Sequence, residues 1–561
     1  MIGEYEEDNA MVRALSSDNR YVRIKALTNI SKLGEVGACN MGLHESAYRL
    51  LADPDYQVQA AAIVALGSMG KFGAIYLDQI VPLVDSSQKE VKIAAVKALG
   101  MLGEQAAAHA SVVEGCLADR DEDIIEAACI SLGSMKATAS APKLAALLAR
   151  DDADLVIAAC TGLGSMDSMH DAVAKLLDSK DGRVRASACS ALATKGDKYL
   201  TKAAQLLGDS DVYVRTNAMY MIEAAGEKAA NEAANIGKHL SSEDVGVRIA
   251  AAAALGTIGA KANFQVEGLE ALLTDTAEDT SSLMLSISGT KKKFPASLRK
   301  PACAAADALA AIGSEASAGK LAQALSTSTD FETKAAFASA LGKMGKEGAK
   351  YEDALIPLLE DFHPMVIAAA CTAIGSISEC TSANPAAAEK AVECLKNPHP
   401  AVRGAAVKCL GKMGDEAIAY IEDIFKCFND DIPYVRASAV EAVATIGEIG
   451  EMYASEVCRL MFDGEVKVRL AAIASLQKMG QRGAGFADEV SSLLSDMVPE
   501  VRTCAIKALM EFGNDTCYTY LQQIQELADA DPFPAVQDAA ANCVANVRVP
   551  ADDQAAIENN E

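Results

Sequence analysis

The chain has 561 residues, 51 % of them apolar, with 51 Lys and Arg against 77 Asp and Glu, a formal charge of −26. The apolar share excludes global disorder, and the acidic balance argues against broad binding to nucleic acid, whose phosphates would be repelled. With no Trp and only 5 % aromatics, a core of closely approaching helices bearing small side chains is expected.

In chain order, residues 1–12 are an acidic segment without an apolar run, so no secretory signal is expected there. Gly3 stands one place too late for myristoylation. From residue 13 a single pattern takes over. Its anchor is an aliphatic residue, usually followed by Arg or Lys: Val22, Val58, Val91, Ile124, Leu155, Val184, Val214 and Val247. It resumes at Pro301, Thr333, Val366, Val402, Val435, Val468, Val501 and Val536. Of the 15 spacings, 7 are 33 residues and one, of 54, marks an insertion. Fixed repeats of this length signal a stacked array and override a domain count of about one per 150 residues.

The columns define the unit. Four residues after the anchor stands Ala in 15 of 16 repeats, the exception being Phe337. Eight after it stands Leu, Ile or Val throughout. Positions 0, +4, +5 and +8 form one face of a 3.6-residue helix. Gly occurs at +12 in 12 of 16, where a helix end calls for a left-handed residue, with Lys136, Asp167, Ser378 and Arg548 as exceptions. Three before the anchor, Asp55, Asp121, Asp152, Asp181, Asp211, Asp244 and Asp330 are predicted N-caps. Pro364, Pro400, Pro433, Pro499 and Pro534 fit the first helical position. Each unit is thus a capped first helix of about 14 residues, a Gly-containing turn and a second helix, such as 76–85, 140–149, 351–361 and 487–496. A hairpin of this kind buries its apolar face only by stacking on its neighbours.

Units such as 209–226, 397–414 and 463–480 resemble HEAT repeats, and the 33-residue length with its LG-x-[ML]-G ending resembles the short class named after phycobilisome lyases. The resemblance covers roughly residues 13–548. It implies an all-α solenoid, a right-handed superhelix of about 16 hairpins with a concave face lined by second helices. It further implies that the Arg column, at 23, 185, 215, 248, 403, 436, 469 and 502 with Lys92 and Lys334, pairs with Asp of neighbouring repeats in a ladder. That ladder should lapse at Ile125, Val156, Ala302 and Ile367. The expected organisation is HEAT-like repeats 1–8 over 13–274, an inserted loop over 275–300, repeats 9–16 over 301–548, and an acidic tail over 549–561.

The insertion is rich in Ser and Thr and carries no acid from Ser286 to Lys300. Ser286, Ser288, Thr290, Lys291, Lys292, Lys293, Ser297, Arg299 and Lys300 form the candidate partner-binding or regulatory loop, with the hydroxyls open to phosphorylation. The competing reading is a solvated loop without such a role.

Catalytic signatures are lacking. Six His include one His-Glu pair, His44–Glu45, whereas the HEAT-repeat enzyme deoxyhypusine hydroxylase uses several to hold di-iron. There is no H-E-x-x-H, no phosphate loop and no G-x-S-x-G elbow. His363 and His399 stand at cap positions. The 15 Cys lack a C-x-x-C pair, and Cys129, Cys160, Cys189 and Cys371 lie in apolar helical runs, as reduced packing residues of a cytoplasmic protein would. No cofactor or metal is expected. The longest uncharged stretch, 364–378, is too short to span a bilayer.

The sequence therefore predicts a non-enzymatic scaffold or adaptor for protein partners with basic surfaces, cytoplasmic with access to the nucleus, and with no nucleic-acid binding or membrane insertion. The alternatives are a bilin-lyase-like or other enzyme-associated protein, a phosphatase scaffold, whose family uses longer repeats, and a karyopherin-like carrier. A tubulin-binding array fits least, because tubulin is itself acidic.

Overall fold

The computed structural model describes residues 11–40, 43–193, 196–278 and 300–548. Among these, every regular element is an α- or 3-10 helix. All 16 predicted first helices are present, from Arg20–Asn40 and Tyr56–Gly67 to Pro499–Phe512 and Pro534–Asn546. The described residues divide into two compact units, 11–261 and 262–548.

Local chemistry explains where each first helix starts. All seven predicted Asp caps accept backbone N–H groups; Asp55, for example, accepts from Gln57 and Val58, and Asp211 from Tyr213. His363 and His399 cap through Nδ1, each 3.3 Å from the amide nitrogen two residues on. The five predicted prolines each open a helix. The +12 column ends the helix in the left-handed region: eleven of its glycines have positive φ. Lys136 and Asp167, two of the exceptions, are forced into the same region at φ 54° and 53°. The turn geometry therefore belongs to the column, and glycine is its least strained occupant.

Second helices are shorter than their sequence pattern suggests. Over 76–85 the α-helix is Leu77–Ile80, continued by a 3-10 turn Val81–Asp85 in which Pro82 interrupts the α-type bonding. Pro357 does the same over 351–361, which folds as two 3-10 turns, Glu352–Ala354 and Ile356–Glu360.

Within each unit, first helices pack on the first helices of adjacent repeats, and a second helix packs on the first helix that follows it. The +8 side chains form the floor of this core, fully buried from Ile30 to Leu509 and partly exposed only at Val544. The first Gly of LG-x-[ML]-G serves a different end from the second: a Cβ on Gly342 would stand 2.5 Å from the Ala373 backbone of the next first helix. The stretch Val245–Thr274 is long and apolar enough by composition to cross a membrane, but Gly259 at φ 68° breaks it into first and second helices. The apolar-run cysteines pack as predicted: Cys129, Cys160 and Cys189 are buried, and burial pushes each thiol up to about 12.

Candidate interaction surface

The Arg column is consumed in stacking. Eight junctions between repeats carry a rung: Arg23–Asp53, Lys92–Asp119, Arg185–Asp209, Lys334–Asp361, Arg403–Asp430, Arg436–Asp463, Arg469–Asp496 and Arg502–Asp531, at 2.6–3.0 Å. The acid is not the cap aspartate but the residue five before the anchor, a column that the sequence reading passed over. In the C-terminal rungs the guanidinium also donates to carbonyls of its own turn, as Arg403 does to Asn397 and Pro398, while Asp430 accepts the Ile432 amide. One Arg–Asp pair thereby fixes two successive turns. The Arg403 guanidinium holds the Asp430 carboxyl below the usual carboxylate range, and Lys92 does the same to Asp119.

At five junctions the ladder lapses in both partners at once. The junctions after Gln59, Ile125, Val156, Ala302 and Ile367 present Ser86, Arg150, Ser179, Ser328 and Asn397 where the acid would stand. Arg215 faces Ser242 and reaches instead toward the cap Asp244 at 3.5 Å.

Of the candidate loop, Ser286, Ser288, Thr290, Lys291, Lys292, Lys293, Ser297 and Arg299 lie outside the described residues. Lys300 is placed, and it is 6 % exposed. Its ammonium sits 2.8 Å from Asp330, 3.0 Å from Glu332 and 3.8 Å from Glu278. Burial would lower its pKa, but Asp330 and Glu332 outweigh this and hold it raised. Lys300 thus substitutes for the missing rung after Ala302.

With the Arg column occupied, the charge that the turns and second helices present to solvent is predominantly acidic. In repeats 12 to 15 these segments expose Asp415, Glu416, Glu448, Glu489 and Glu526, none in an ion pair among the described residues. The first helices of the same repeats carry Lys408, Lys412, Lys467, Lys478 and Lys507. Tyrosines at the start of second helices tie the acids of neighbouring repeats: Tyr453 donates to Glu422 at 2.7 Å, Tyr520 to Asp488, and Tyr199 in the first unit to Asp171 at 2.9 Å. The Glu422 carboxylate pushes the Tyr453 phenol up to about 12, so it remains a donor. In the first unit, a recess of about 710 Å³ lies between second helices, lined by Met169, His170, Asp171, Asp197, Lys198 and Tyr199. Its charges are internally paired, Lys198 with Asp171 and Asp197 with Lys228. No group of three His, Cys, Asp or Glu among the described residues could hold a metal ion.

No curated protein sequence matches the chain. Among solved structures, yeast importin-beta (Kap95p) matches over 97 % of this chain and 80 % of its own, at 12 % identity and TM-score 0.62. The Kap95:Nup1 complex matches over 96 % and 83 %, at 10 % identity and TM-score 0.61. A Kap95p structure with RanGDP matches over 96 % and 77 %, at 13 % identity and TM-score 0.50. At such identities the likeness is one of fold, a solenoid of short helical hairpins. The profile of HEAT repeats matches residues 45–110, 78–164, 110–193, 352–444 and 454–545, more than half of the sequence. The match is to HEAT repeats at large, and with it the chain belongs to the HEAT-repeat family.

Proposed function

We propose that this protein is a non-catalytic carrier or scaffold, karyopherin-like in construction, whose acidic turns and second helices hold a basic segment or basic domain of a partner protein. The observation that carries this reading is the segregation of charge. The Arg column is spent in the ladder and the exposed lysines lie on the first helices, while exposed carboxylates without ion-pair partners among the described residues are presented by the turns and second helices of consecutive repeats. Such a surface steers and selects cationic partners and is sensitive to ionic strength. The likeness to importin-beta, solved with Nup1 and with RanGDP, favours a carrier over a static scaffold as the use of this fold. A carrier role places the chain in the cytoplasm with access to the nucleus.

The test is affinity capture from the native source at low salt, with mass spectrometry of what elutes as salt rises. The expected result is a stoichiometric protein with a basic segment, released by salt. A protein that purifies with a coloured small molecule instead would support the bilin-lyase alternative and overturn this one.

A further inference from the structure

A second surface is built by the turns that lead into the first helices. The turns of repeats 13, 14 and 15 expose Ile432, Phe462 and Met497 to 38 %, 56 % and 67 %. Each lies within two residues of a ladder aspartate, Asp430, Asp463 or Asp496, so consecutive rungs hold the three turns side by side. Turns at a protein surface are polar by default, and large apolar side chains gathered on them mark an interaction site. The same turns expose the acids Asp431, Glu465 and Glu500. Among the described residues none of the three is in an ion pair, and Lys467 is the one exposed cation on these turns.

We propose that this row docks an extended protein segment in which apolar residues alternate with Lys or Arg. The acids select cations, and the apolar side chains select against a segment that is merely basic. Spacing sets the motif. Adjacent helices lie about 8–10 Å apart, and a segment in the polyproline II conformation advances about 3.1 Å per residue with three residues per turn. An apolar side chain at every third position therefore meets successive turns, with cations in between. This site is separate from the acidic second helices and does not depend on them.

The experiment uses the full chain and three labelled 12-residue peptides of repeating Leu-Lys-Ser, Ser-Lys-Ser and Leu-Glu-Ser, with binding read by fluorescence anisotropy. The site predicts that Leu-Lys-Ser binds at least about tenfold tighter than either control, since burying one large apolar side chain is worth more than a factor of ten. Phe462→Ser with Met497→Ser should abolish that margin. Asp431→Asn with Glu465→Gln and Glu500→Gln should remove its salt dependence. Glu416→Gln, Glu448→Gln, Glu489→Gln and Glu526→Gln, on the second-helix surface, should leave the affinity for Leu-Lys-Ser within about twofold. All these side chains are exposed, and an unchanged melting temperature verifies folding. Equal binding of Leu-Lys-Ser and Ser-Lys-Ser, no binding of Leu-Lys-Ser, or a margin untouched by the Phe462→Ser, Met497→Ser variant overturns the proposal. So does concentration-dependent self-association lost in that variant, which would make the row an interface between copies of this chain.

Discussion

At the scale of single residues, the ladder pairs are partly or fully withdrawn from water, and this decides their worth. Exposed ion pairs contribute about 0–1 kcal/mol, whereas removing one partner of a buried pair costs about 3–5 kcal/mol. Arg502 and Asp531 are the most buried rung, with side chains 8 % and 2 % exposed. Asp531→Ala is expected to cost about 3 kcal/mol and to speed hydrogen exchange in Pro499–Phe512 and Pro534–Asn546 roughly 100-fold, by the tenfold per 1.4 kcal/mol relation. A change below about threefold would assign the stacking energy to apolar contacts alone. The two glycines of the repeat ending should also separate. Gly480→Ala meets no atom within 4 Å but must keep φ at 55°, a strain of about 1 kcal/mol. Gly342→Ala drives a methyl against the Ala373 backbone and should cost about 2–3 kcal/mol. Thermal unfolding of the two variants checks the order, and the reverse order would contradict the packing role of Gly342.

At the scale of helices and repeats, the sequence was legible wherever a column recurs. The Asp caps, the proline starts, the +8 core and the +12 turn all appear where periodicity places them. What escaped was relational. The acid five before the anchor is recognisable only against the cation of the preceding repeat, because the two vary together across junctions and not along one helix. Lys300 escaped for the same reason: its neighbours in sequence mark it as loop, while its partners Asp330 and Glu332 lie on the next repeat. The second helices over 76–85 and 351–361 are shorter than a 3.6-residue pattern suggests because that pattern does not register Pro82 or Pro357. Rung continuity now ranks the repeats. The junctions from repeat 12 to repeat 16 are all paired, while those after Ile125 and Val156 are not. First-helix amides of Pro433–Val443 and Val466–Lys478 should therefore exchange more slowly than those of Glu122–Ser134 and Ala153–Ser165. Faster exchange in the C-terminal repeats would contradict the ranking.

At the scale of the whole molecule, acid and salt act on different parts. Asp119 and Asp430 have carboxyl pKa values lowered by their cationic partners. Stability from such groups is fully present above the unfolded Asp value of about 3.9 and is lost as pH falls through the lower folded value. The melting temperature should accordingly hold from neutrality to about pH 4 and fall steeply below it. A fall already under way near pH 6 would assign the acid sensitivity to other groups. Salt should instead act on binding, because the exposed carboxylates of the turns and second helices are screened while the ladder is largely shielded. The central claim is that this acidic surface recognises basic partner segments. Its most direct measurement is the affinity of the full chain for a labelled Ser-Lys-Ser repeat peptide, across a salt series. The wild type is compared with Glu416→Gln, Glu448→Gln, Glu489→Gln and Glu526→Gln combined. The account predicts wild-type binding that weakens steadily with salt, and a variant that binds at least about tenfold more weakly at low salt with a flatter salt dependence. Equal affinity and equal salt dependence in the two proteins would contradict it.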